Sequence, residues 1–182
     1  MLKVMNFITN TPIDAGTSKD VIVKSLENSL LSAGYDIVEC NDQKPWGAYL
    51  RIDGEQSDRF VEQFFPGLSL KDAKLGLKDV ELSPKFLVVS PGARLSWQLH
   101  HRRAERWMFL TNGGYHRSKT DDQGEMLAAQ AGDVVQFMQG ERHRLVGDKE
   151  SYSVVAEIWQ HTDRSRLSDE DDIVRVDDDY LR

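Results

Sequence analysis

Residues Arg94 to Trp107, "RLSWQLHHRRAERW", set two histidines and one glutamate among four arginines and two tryptophans. Successive side chains of a strand point to opposite sides. The alternation therefore predicts a strand with Arg94, Ser96, Gln98 and His100 on one face and Leu95, Trp97 and Leu99 on the other. A strand with one face in water would alternate in the same way, so the residue types carry the weight. Gln98 and His100 offer neutral oxygen and nitrogen donors two positions apart, and Glu105 adds a hard carboxylate after a turn. Such groups suit a divalent ion such as Zn, Mn, Co or Fe. His143, in "GERHRL" after the Gly132-Asp133 turn and the apolar run "VVQFM", is the candidate fourth donor, provided that the fold closes the distance to Glu105.

The surroundings read as strands too. From Lys85 onward, short segments rich in Val, Phe, Trp and Leu are punctuated by "SPGA", "TNGG", "DDQG", "AAQAGD", "MQGE" and "VGDKE". That rhythm predicts an all-β sandwich or barrel. No βαβ alternation, phosphate loop or solenoid repeat interrupts it. Ahead of it, "GTSKD" offers a helix start with Thr17 or Ser18 as cap; Val21, Ile22, Leu26, Leu30 and Ala33 recur at helical spacing until Gly34. "DRFVEQFF" predicts a second helix with Phe60, Phe64 and Phe65 on one side, ending before Pro66-Gly67 and flanking the core.

A chain of 182 residues suits one domain. The formal net charge of −7 argues against a general nucleic-acid binder, which would need cations to neutralise phosphates. Residues 163–182 hold eight acids against four arginines, so the body is only mildly acidic. Cys40 is the single cysteine, which excludes a disulfide framework and a cysteine-based zinc cluster and fits a reducing compartment. "MLKVMNFITNTPI" turns polar too soon for a signal peptide, and no run of eighteen apolar residues occurs. The expectation is a cytoplasmic protein with no membrane partner and no nucleic-acid partner.

Four stretches, "KPWGAY", "K…VVSPGARLSWQLHHRRAERW", "AGDVVQFMQGERHRL" and "EDDIVRVDDDY", occur in the same order as in the C-terminal module of type II mannose-6-phosphate isomerases, which residues 44–182 resemble. The resemblance implies an all-β cupin: a double-stranded β-helix, or jelly-roll barrel. Residues 1–43 would be a short N-terminal helical extension, about 53–82 an insertion, and the acidic C-terminus a tail. It implies a divalent transition metal held by Gln98, His100, Glu105 and His143, zinc first, with Mn, Co, Fe or Ni as other candidates. It also implies that Lys85, Arg94 and Arg103 face or border a sugar-phosphate site, with Arg144 as a further substrate-binding candidate. The sequence departs from the family at Arg102 and Arg106, which replace histidines, at Asn112, which replaces a glycine, and at Met138, which replaces a proline.

The implied chemistry is aldose–ketose isomerisation, in which a proton leaves C2 of an opened sugar phosphate and returns at C1 through a cis-enediol. A metal would stabilise the enediolate charge, and an arginine suits the distant phosphate. Lys85 and Glu157 are the candidate bases. Isomerisation of another phosphosugar such as a heptose phosphate is the nearest alternative. A non-catalytic sugar-phosphate-binding cupin and a metal-free sugar-nucleotide epimerase or lyase are further ones. His101 reads as a wall residue, His116 and His161 as surface residues, the four tryptophans as core, and "DEDD" and "VDDDY" as solvated faces or as a tail docked over the barrel mouth. The apolar row Leu95, Trp97 and Leu99 motivates a homodimer.

Overall fold

The computed structural model describes residues 12–180. The turn signals after Lys85 do separate strands, and the chain adds a hairpin before them. One antiparallel sheet has the order β1 (Ile37–Lys44), β2 (Gly47–Ile52), β3 (Lys85–Val89), β10 (Ser153–His161), β5 (Arg103–Phe109), β8 (Val134–Phe137). The other runs β11 (Val174–Asp177), β4 (Trp97–Leu99), β9 (Arg142–Gly147), β6 (Gly113–Ser118), β7 (Leu127–Ala129). This is the expected cupin barrel. The β1–β2 hairpin escapes the sequence reading because β1, "IVECNDQK", is mostly polar and forms the outer edge of its sheet. A boundary between residues 43 and 44 therefore falls inside a strand. The hairpin turns at Pro45-Trp46, and Gly47, at φ +146°, lies so close to the Val88 carbonyl of β3 that a Cβ would collide with it.

Alternation sorts the larger sheet into two faces. Ala48, Leu50 and Ile52, Phe86 and Val88, Met108 and Leu110, and Val154, Ala156 and Ile158 point outward, where α1 (Lys19–Ser32), α2 (Ser57–Phe64) and α3 (Leu70–Ala73) cover them. Helix α1 places Ile22, Val23, Leu26 and Leu30 in this cluster, whereas Val21 is exposed. Helix α2 contributes Phe60 and Phe64, which meet the Phe86 ring at 5.3 and 5.2 Å, and Phe65 follows them into the core. The extension and the insertion are thus the cover of the outer face. No helix is long and apolar enough to cross a membrane among the described residues.

The inner face is graded. Leu87, Val89, Phe109, Val135, Leu145 and Val155 make an apolar floor with Trp107 and Phe137. Toward the other end Lys85, Arg103, Glu105, His143 and Glu157 are buried polar residues. Trp97 and Leu99 are buried within the chain, so the apolar row presents no open face to a second copy. Phe64 has no exposure and packs on three other rings. Phe64→Ala is expected to lower stability by about 3–5 kcal/mol in urea denaturation, because the sheet beneath cannot collapse into the cavity; a loss below about 1 kcal/mol would show that α2 is a loose flank.

Candidate metal centre

Three strands and one bend bring the donors together. Glu105 on β5 points inward beside Trp159 and Phe137, its cross-strand neighbours. His143 on β9 is paired across the strands with Gln98 on β4, and His100 follows β4 directly. His100 Nε2 lies 3.0 Å from Glu105 Oε1, and His143 Nε2 lies 3.2 Å from Glu105 Oε2. Donor atoms of His100, Glu105 and His143 all fall within 4.8 Å of one another, and all three residues are buried.

The ring tautomers give this cluster its character. His100 Nδ1 donates to the Asp172 carbonyl, and His143 Nδ1 donates to the Glu141 carbonyl at 3.0 Å. With the ring proton on Nδ1, each Nε2 presents a lone pair to a carboxylate that also carries lone pairs. Glu105 Oε2 and His143 Nε2 are accordingly buried without a hydrogen-bond partner, despite their proximity. A cation satisfies such a set, and carbonyl-held imidazoles are the usual way to orient metal ligands. The donors fit a divalent transition metal. Gln98 is buried beside them; its Oε1 accepts from Ser96 Oγ at 2.7 Å, which fixes the amide.

Electrostatics follow from burial. Burial opposes charge on Glu105, but the neighbouring His100 and Arg103 side chains outweigh it and hold its pKa well below the usual range. Burial pushes the His100 pKa down, against the pull of Glu105. Arg103 supplies the fixed positive charge: its Nε donates to Glu105 Oε1 at 2.8 Å and its guanidinium lies 3.9 Å from the Trp159 ring. Glu157 faces Lys85 on one side and Trp107 on the other. Burial, reinforced by the charge of Glu105, raises its pKa to about 8, while Trp107 Nε1 donates to its Oε2 at 2.9 Å.

Of the residues expected at the site, Lys85, Gln98, His100, Arg103, Glu105, His143 and Glu157 meet at one end of the barrel. Arg94 and Arg144 do not. The strand register slips by one between Arg94, bridged to Val146, and Gln98, paired with His143; Leu95 therefore packs on the inner cluster and Arg94 turns outward. Arg144 alternates with inward-facing His143 and Leu145 and pairs with Asp177 at 2.9 Å, while Arg94 pairs with Asp179 at 2.7 Å. Both arginines fasten the tail from outside. His161 is buried rather than exposed, receiving the Ser168 N–H and donating to the Glu81 carbonyl.

The residue that sequence reasoning missed is Asp172. Its carboxylate accepts from the backbone N–H groups of His101 and Arg102, each at 3.0 Å, and from Ser168 Oγ at 2.8 Å, and its carbonyl holds His100. The available signal was its place in "EDDIVRVDDDY". Arg102, one of the departures from the family pattern, pairs with Asp169 at 2.8 Å and so joins the same clamp.

The family model "Mannose-6-phosphate isomerase C-terminal" matches residues 78–178, more than half of the chain. The chain belongs to this family. It is 31% identical over 162 residues to the xanthan biosynthesis protein XanB of Xanthomonas campestris pv. campestris, covering 88% of this chain and 28% of that protein. It is 29% identical over 143 residues to the alginate biosynthesis protein AlgA of Pseudomonas aeruginosa, covering 79% of this chain and 23% of that protein. The family member thus spans about a quarter of the length of these relatives. The capsular polysaccharide assembling protein CapF of Staphylococcus aureus shares the fold, with a TM-score of 0.51 at 13% identity over 87% of this chain and 37% of that one.

A carboxyl whose pKa is higher folded than unfolded favours the fold below the unfolded value, and that contribution disappears as pH rises through the folded value. Glu157 goes from 4.5 to about 8. Metal-free protein is expected to lose melting temperature across that interval, and Glu157→Gln to lose less. Identical profiles for the two proteins would contradict the assignment of a neutral buried carboxyl.

Proposed function

We propose that this chain is a metal-dependent aldose–ketose isomerase of a sugar phosphate, with mannose 6-phosphate and fructose 6-phosphate as the first pair. The observation that carries the reading is the buried His100–Glu105–His143 set, facing inward with unsatisfied lone pairs beside Lys85, Arg103 and a neutral carboxyl. His100, Glu105 and His143, with Gln98 at their side, would hold the metal, zinc being the first to try. When bound, a divalent ion supplies Lewis-acid stabilisation of the negative charge that develops on the sugar oxygens.

The chain's own groups divide the remaining work. Glu157 is the proton carrier: a pKa of about 8 leaves it able to accept a proton and return it near neutral pH. Trp107 Nε1 orients its Oε2 and steadies the ionised form. Lys85, ion-paired with Glu170, acts as a cation rather than as the base. Arg103, stacked on Trp159, offers a second rigid cation. The apolar floor formed by Trp107, Phe109 and Phe137 closes the far end of the barrel.

One observation favours a binding module without catalysis. The tail already occupies Arg103, through Ser168 Oγ at 3.1 Å and the Asp169 carbonyl at 2.9 Å. Solvent isotope separates the two readings. Zinc- or manganese-loaded protein is expected to interconvert the two sugars in D2O and to place deuterium at C1 or C2, and Glu157→Gln to slow conversion by about 100-fold or more while metal binding persists. A sugar phosphate that raises the melting temperature yet neither converts nor exchanges would establish the binding module instead. His143→Ala is expected to lose stoichiometric metal by elemental analysis of tag-free protein; full retention would overturn the donor set.

A further inference from the structure

Lys85 is the cation of the site that meets the tail's carboxylate directly. Its Nζ donates to Glu170 Oε1 at 2.7 Å and to Oε2 at 2.9 Å, and Ser83 Oγ donates to the same Oε1 at 3.0 Å. The two partners differ in exposure: the Lys85 side chain is 10% accessible and that of Glu170 63%. A solvent-facing carboxylate thus reaches in to neutralise an enclosed ammonium. On its remaining sides the ammonium lies 4.8 Å from the Trp159 ring and 6.0 Å from the Tyr49 ring.

Glu170 can leave without unfolding the segment that carries it. Asp169 is held by Arg102 at 2.8 Å, and Asp172 by Ser168 Oγ and the N–H groups of His101 and Arg102. The main chain on both sides is therefore anchored independently of the Lys85 pair, and rotation of one exposed side chain frees the ammonium.

We propose that Glu170 is a resident carboxylate that occupies the anion position at Lys85 and exchanges with the phosphate of an incoming ligand. The inference rests on the phosphosugar reading above. The exchange requires an anion. A phosphate replaces one anion by another and keeps the enclosed lysine paired. An unphosphorylated sugar brings no anion to replace Glu170 and is held with the Lys85–Glu170 pair in place, because breaking that pair without a substitute would be costly.

Calorimetric titration of the full metal-loaded chain with mannose 6-phosphate and with mannose tests the exchange. Glu170→Gln is expected to bind mannose 6-phosphate about five-fold more tightly than wild type, because no carboxylate has to be displaced. Mannose binding is expected to differ much less between the two proteins. In a Lys85→Met background the added Glu170→Gln change should have no effect on mannose 6-phosphate, which isolates the pair. Equal or weaker binding of mannose 6-phosphate by Glu170→Gln, with wild type binding measurably, overturns the exchange and leaves the phosphosugar reading intact. Failure of wild type and both single variants to bind either mannose 6-phosphate or fructose 6-phosphate overturns that reading and the exchange together.

Discussion

A carboxylate buried in the barrel organises this molecule. Glu105 has almost no exposure, and an isolated charge in such a place is prohibitive unless partners surround it. Arg103 supplies the compensating charge, and its own planar group rests on Trp159. The two imidazoles complete the ring around Glu105 but bring lone pairs rather than protons, because carbonyls of the Asp172 and Glu141 peptides hold their Nδ1 hydrogens. The arrangement is electrostatically incomplete as a purely organic cluster. That incompleteness is the strongest physical argument for a cation.

Polarity at one end of the barrel requires dryness at the other. Phe137 illustrates the transition: it stacks 4.6 Å from the His143 ring on one side and meets Trp107 at 4.5 Å on the other. The grading also explains Glu157, which sits where the floor begins and is forced toward neutrality by burial before the charge of Glu105 adds to the effect. On the outer face the same strands alternate to a second apolar cluster, so both faces of β3, β5 and β10 are buried. Helices α1 and α2 are needed there for the same reason that the floor is needed inside.

The tail has a role that its composition hides. Eight acids in the last twenty residues read either as solvated faces or as a tail docked over the barrel mouth, and Asp169, Glu170, Asp172, Asp177 and Asp179 each meet a specific partner on the barrel. Arg94 and Arg144 are partners of this kind, gripping β11 and the residue pair after it from outside. Arg102 belongs to the same set. Two of the charges expected to hold substrate thus hold the chain's own C-terminus, while Lys85 and Arg103 stay at the polar end of the barrel.

Short-range pattern determined much of this from sequence alone. Strand rhythm and turn residues defined the segments after Lys85, helical spacing defined α1 and α2, and donor chemistry singled out His100, Glu105 and His143. Each of these is encoded locally, by period, by turn chemistry or by the kind of atom a side chain offers. Alternation along β9 sets Arg144 on the side opposite His143. Local pattern could not place Arg94, because a one-residue slip in the strand register reverses which side a residue faces, and register is set by the neighbouring strand. It could not reveal Asp172 as the holder of His100, since the two are 72 positions apart and joined only through folded backbone. The polar edge strand β1 and the burial of His161 were likewise decided by tertiary neighbours: β2 supplies the pairing for one, and Glu81 and Ser168 supply the hydrogen bonds for the other. Sequence specified which atoms were available for a site, and only the closed barrel decided which of them share a face, a proton or a charge.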